Sequence, residues 1–94
     1  MTITIYQINR DRDSKGNMFA SYRASEKRGI NMSSYDKVFE GDVPCKDLED
    51  VFEMFNIALP YNYYGRSMSV SDIVQVEGDG TYYCDILGFK RIGD

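Results

Sequence analysis

The sequence predicts an α+β domain: a small, mostly antiparallel sheet of about four to five strands in the order β-α-β-α-β-β, with two helices packed on it. Three observations carry that expectation. Short runs rich in β-branched and aromatic residues alternate with the two-residue period of a half-buried strand, near the start, the middle and the end of the chain. Two windows between them carry apolar residues at helical spacing. Near the end, an Asp-Gly pair joins two alternating runs, which makes them antiparallel partners. At 94 residues the chain fits one domain and not two.

Taken in order, Thr2 to Ile8 reads TITIYQI, with Ile3 and Ile5 on one face and Thr4, Tyr6 and Ile8 on the other. Apolar groups on both faces place this first strand inside the sheet. Asn9 to Asn17 is a polar loop broken by Gly16. Met18, Phe19 and Tyr22 then recur at helical spacing through MFASYRASEKR, predicting a short helix that stops at Gly29. Lys27 and Arg28 in its last turn suit the negative end of the helix dipole. After a connection from Ile30 to Ser34, Tyr35 to Val43 forms a second strand closed by Gly41 and Pro44. Cys45 to Asn56, CKDLEDVFEMFN, carries the clearest helix signal, an apolar stripe of Leu48, Val51, Phe52 and Phe55. Ser71 to Glu77 and Thr81 to Ile86 pair as a hairpin through Gly78, Asp79 and Gly80, with the Asp-Gly pair suiting a type I′ turn. Gly88 predicts a bulge or bend before a last strand, Phe89 to Ile92.

Charge and composition narrow the chemistry. The net charge of −4 argues against a phosphate-backbone binder, which needs clustered Lys and Arg. Residues 1–30 hold six basic side chains against three acidic ones, whereas residues 31–94 hold five against twelve. The acid excess therefore lies in the second part. There is no histidine, and Cys45 and Cys84 stand far apart, so the common Cys/His zinc sets have no ligands and no cofactor is implied. The N-terminus alternates like a strand instead of forming a secretory core, and no apolar run reaches the roughly 20 residues that span a bilayer. A soluble, cytoplasmic protein with reduced thiols is expected.

The most unusual stretch is LPYNYYGRSMSVSDIV, Leu59 to Val74. Ser67, Ser69 and Ser71 alternate and would share one side of an extended segment. A nucleophilic serine needs a base, and neither a histidine nor an SxxK pair is present. Asp72 suits a turn cap that accepts backbone N–H groups. Gly65 and Arg66 allow a small anion site, although the pair is common in ordinary loops. Tyr61, Tyr63 and Tyr64 fit packing, or a protein-binding surface with Arg66 and Ser67, better than base stacking, because no basic cluster flanks them. Asp47, Glu49, Asp50 and Glu53 form a solvated acidic helix face with no metal-loop pattern. Cys45 reads as a half-buried small residue.

Taken together, "TITIYQINRDRD", "YDKVFEGDVPCKDLEDVFEMFN" and "GRSMSVSDIVQVEGDGTYYCDILGFKRI" resemble the YodL-like domain of Firmicutes proteins. The resemblance covers nearly all of the chain apart from the loop and helix around Asp13 to Met32. Met68 stands where leucine is usual, Ile86 and Leu87 replace a Ser-Phe pair, and PYNYYGRS is more aromatic than the family's acidic version. The resemblance implies an accessory module found in small stand-alone proteins and within large proteins of conjugative and other mobile elements, with no catalytic residue assigned.

The expected function is therefore a non-enzymatic protein-interaction module of mobile-element origin, binding an unidentified protein through Tyr61, Tyr63, Tyr64, Arg66 and Ser67. One alternative is an acidic inhibitor that imitates nucleic acid, presenting the carboxylates of residues 42–53 to a host defence nuclease. The other is a metal-dependent hydrolase or nuclease using Asp72 and Asp85.

Overall fold

A computed structural model describes residues 1–94. Five antiparallel strands, β1 (Thr2–Ile8), β2 (Tyr35–Asp42), β3 (Ile73–Val76), β4 (Gly80–Cys84) and β5 (Phe89–Gly93), form one sheet in the order β2-β1-β3-β4-β5. Two helices, α1 (Tyr22–Arg28) and α2 (Leu48–Ile57), complete the α+β fold, with 3-10 turns at Arg10–Arg12 and Met32–Ser34. No helix is long and apolar enough to cross a membrane.

β1 lies inside the sheet, as its two apolar faces require. It pairs with β2 from Thr2↔Asp42 to Ile8↔Tyr35, and with β3 from Ile3↔Val76 to Tyr6↔Ile73. The alternation then separates two apolar clusters. Ile3, Ile5, Val74 and Val76 face α2 and pack with Phe39, Val51, Phe55 and Met68. On the other face Ile8, Tyr35, Ile73 and Tyr83 pack with Tyr22 of α1. The helices thus cover opposite faces. One irregularity matters later: the β1–β2 register jumps from Ile5↔Phe39 to Tyr6↔Lys37, leaving Val38 unpaired on β2. This bulge puts neighbours Val38 and Phe39 in the same cluster, and it frees the Val38 carbonyl to accept the Tyr64 N–H at 3.1 Å.

Both helices begin later than the periodicity predicts. α1 starts at Tyr22 because Phe19 takes a left-handed φ of 63°, which no helix interior permits, and its N–H goes to Ser71 Oγ. Ser21 caps the helix by accepting the Ala24 N–H. Met18 reaches the second cluster from the preceding loop. α2 starts at Leu48, since Asp47 is its cap: Asp47 Oδ1 accepts the Asp50 N–H at 2.9 Å, and Asp50 Oδ2 accepts the Lys46 N–H at 3.0 Å. A carboxylate cap stabilises a helix by about 1 kcal/mol, and here it fixes the start three residues beyond Cys45. Val51 and Phe55 form the buried stripe, Leu48 is half-buried, and Phe52 lies at its margin.

The β3–β4 connection is a three-residue turn, Glu77 to Asp79, with Val76 paired to Gly80, and not the expected two-residue type I′ loop. Gly78 alone has positive φ, 79°, and the Asp79 N–H reaches the Val76 carbonyl at 3.1 Å, which is the geometry of a type II turn. β3 begins at Ile73, not Ser71, because Ser71 has φ 85°. β4 ends at Cys84. Beyond it, Gly88 (φ 77°) closes a turn that returns the chain as β5, with Cys84 opposite Phe89 and a register jump that leaves Ile92 unpaired.

Candidate functional site

The tyrosine-rich stretch divides into an internal latch and an exposed rim. Gln7 shares its side of β1 with Ile3 and Ile5, so its amide is buried, where every polar atom needs a partner. The connection between α2 and β3 supplies them. Gln7 Nε2 donates toward Asp72 Oδ2 (2.8 Å), the Arg66 carbonyl (2.9 Å) and Tyr63 Oη (2.9 Å), while Gln7 Oε1 accepts the Arg66 N–H at 3.1 Å. The Tyr63 hydroxyl also donates to the Arg66 carbonyl. Its ring meets Phe55 edge-on, with centroids 5.1 Å apart. Glycine is required at position 65, because a Cβ there would stand 2.3 Å from Gln7 Oε1 and 3.0 Å from both the Tyr63 hydroxyl and Val38 Cβ. The Gly-Arg pair is therefore a close-approach device.

Arg66 turns inward as well. Its guanidinium lies 5.1 Å from the centre of the Phe19 ring, donates to the Ile8 carbonyl at 3.3 Å and stands 3.7 Å from Asp72 Oδ1. Asp72 is fully buried. Its Oδ2 accepts the Ser69 N–H at 3.0 Å, the cap expected from sequence, whereas Oδ1 accepts no hydrogen bond. Burial pushes the Asp72 carboxyl up to about 6, against the opposing pull of the Ser69 N–H, the Gln7 amide and Arg66. Burial likewise pushes the Tyr63 phenol up to about 12, which keeps it a hydrogen-bond donor.

The serines do not share a side. Ser67 is exposed, Ser69 half-buried and Ser71 fully buried. Ser71 joins three segments: its N–H donates to the Cys84 carbonyl, its carbonyl accepts from the Tyr35 hydroxyl at 2.7 Å, and its Oγ receives Phe19. Asp85 Oδ1 accepts the Tyr22 N–H at 3.0 Å and its neighbour's N–H at 2.9 Å, so Asp72 and Asp85 each serve a different structural junction. No three Asp, Glu or Cys side chains converge with the spacing of a metal site.

The rim is different. Tyr61 and Tyr64 are 99% and 85% exposed, and Ile57 (78%) and Leu59 (47%) precede them. Of the five residues expected at a partner surface, Tyr61, Tyr64 and Ser67 are presented outward, while Tyr63 and Arg66 belong to the latch. Asp47 and Asp50 have their carboxylates engaged at the cap of α2, and Glu49 and Glu53 project from exposed positions without hydrogen bonds. Cys45 is half-buried and Cys84 buried, and both are unbonded. Burial, followed by the nearby Asp50 charge, raises the Cys45 thiol above its ordinary range.

Sequence reasoning missed Gln7, Phe19, Ile57 and Leu59. Gln7 could have been found, as a polar side chain in phase with Ile3 and Ile5. Ile57 and Leu59 could have been flagged as apolar residues outside the helical stripe. Phe19 carries no local signal.

A family model described as YodL-like domain matches residues 2–94. No curated protein and no solved structure matches the chain.

Proposed function

The chain belongs to the YodL-like domain family, and as a member of it we propose that it acts as a non-enzymatic protein-interaction module, working in the cytoplasm as an accessory of a bacterial mobile element. One observation carries the reading: within the eight residues 57–64, from the last residue of α2 into its connection to β3, Ile57, Leu59, Tyr61 and Tyr64 are all held out in water. Burying a large apolar side chain is worth about 1.5–3 kcal/mol, so a free surface that keeps four together is primed for a partner. The latch supports this rigidly, since Tyr63 and Gly65 anchor the connection from within. Two unbonded cysteines fit a reducing compartment.

The two alternatives draw less support. A hydrolase using Asp72 would need a carboxylate that meets substrate, and Asp72 is fully buried. A nucleic-acid mimic would need an extended track of acids, whereas Asp47 and Asp50 are turned to helix capping.

Affinity capture from host cytosol tests the proposal. The wild-type chain is expected to retain a defined protein that the Tyr61→Ala, Tyr64→Ala double variant loses by tenfold or more, a loss of about 1.4 kcal/mol. Equal recovery by both baits would remove the rim from the account.

A further inference from the structure

We infer that the partner segment taken by this surface is a short stretch of protein chain in which one or two apolar side chains are flanked by Lys or Arg. This deepens, and rests on, the reading of the α2–β3 connection as a docking surface. Sharing Ile57 with this surface, a groove of about 390 Å³ runs along the flank of α2, with a floor of Pro44, Cys45, Met54 and Ile57 and a rim of Asp50 and Glu53. The floor is apolar and adaptable. Cys45 Sγ approaches Met54 Sδ at 3.9 Å, and such polarisable sulfur groups adjust to differently shaped side chains.

One feature sets the charge of the occupant. No Lys or Arg lines the groove, so its two carboxylates are unanswered by any lining cation. A partner's ammonium or guanidinium group beside an apolar anchor would meet both carboxylates. An anionic partner, nucleic acid included, would meet like charge.

The test uses the full chain and three synthetic peptides of equal length: a Leu pair flanked by lysines, the same pair flanked by glutamates, and an Ala pair flanked by lysines. Titration followed by NMR is expected to shift the Ile57 and Met54 methyl signals with the Leu/Lys peptide, at least about tenfold more tightly than with the Glu-flanked one. The same peptide should slow maleimide labelling of Cys45, the half-exposed thiol, and its binding should weaken as salt rises. Glu53→Lys, at an exposed position without hydrogen bonds, should fold normally and weaken it by at least about fivefold. The inference is overturned by equal binding of the Glu-flanked peptide, by shifts mapping away from Ile57 and Met54, or by saturable binding of none of the three. If capture from cytosol is lost with Tyr61→Ala and Tyr64→Ala while the Leu/Lys peptide leaves Ile57 undisturbed, the partner chemistry fails and the docking surface stands.

Discussion

Phe55→Ala is expected to destabilise the domain by about 3–5 kcal/mol, most of the stability of a marginal small fold. Phe55 is completely buried at the centre of the α2-facing cluster, with its ring edge-on to Phe39 at 5.0 Å and to Tyr63 at 5.1 Å. Its carbonyl also receives the Met68 N–H at 3.2 Å, so the helix and the α2–β3 connection meet at this residue. Alanine would leave a cavity between them, and neither Phe39 on the sheet nor the latched Tyr63 is free to collapse into it. Phe52→Ala, one helical turn away at the 37% exposed margin, should cost under about 1 kcal/mol. Urea unfolding of both variants checks the contrast, and similar midpoints would mean that α2 packs by a different face.

The second large effect concerns pH. The Asp72 carboxyl is raised from an ordinary 3.8 to about 6 in the folded chain, chiefly by burial. Between about pH 4 and pH 6 the folded state therefore keeps a proton that the unfolded state has released. Stability from this group is full below about pH 4, is lost as pH rises through about 6, and is constant above that. The loss amounts to about 3 kcal/mol, since each tenfold difference in acidity is worth about 1.4 kcal/mol. Asp72→Asn should remove the slope while keeping an acceptor for Gln7 Nε2 and the Ser69 N–H. Other carboxyls titrate in both proteins and cancel in the difference. Urea midpoints at pH 4 and pH 7 should show the variant gaining about 3 kcal/mol on the wild type across that range, and a flat difference would place the Asp72 carboxyl in its ordinary range.

Much of this architecture was legible because local patterns and tertiary demands coincide. The two-faced alternation of TITIYQI predicted an interior strand, and β1 is paired on both sides. The stripe through Val51 and Phe55 predicted the helix face that docks on the sheet. Two of the departures share a cause. Met18 and Phe19 show helical spacing, yet Phe19 is held left-handed by a hydrogen bond to Ser71, 52 positions away. Ser71 alternates with Ser69 and Ser67, yet its own positive φ ends the alternation before β3 begins. Non-local hydrogen bonds overrode periodicity at these points, and no window of sequence contains both partners.

The candidate surface was legible only in outline. Adjacent tyrosines of identical chemistry divide by role, Tyr63 inward and Tyr64 outward, because the Tyr64 N–H is tied to the carbonyl freed by the bulge at Val38. That bulge shows in YDKVFEGD only as a break in alternation, the polar pair Asp36 and Lys37 followed by the apolar pair Val38 and Phe39. The sequence suggests a surface role for Arg66, but its place beneath Phe19 depends on the same left-handed residue that shortens α1.

The division of PYNYYGR into latch and rim is the central claim, and equilibrium unfolding of paired tyrosine variants tests it most directly. Tyr63→Ala removes an edge contact with Phe55 and a hydroxyl shared between Gln7 and Arg66, and is expected to cost about 2–3 kcal/mol. The Tyr61→Ala, Tyr64→Ala double variant should unfold within about 0.5 kcal/mol of the wild type while losing the captured partner. A double variant as destabilised as Tyr63→Ala, or a Tyr63→Ala protein as stable as the wild type, would contradict the division.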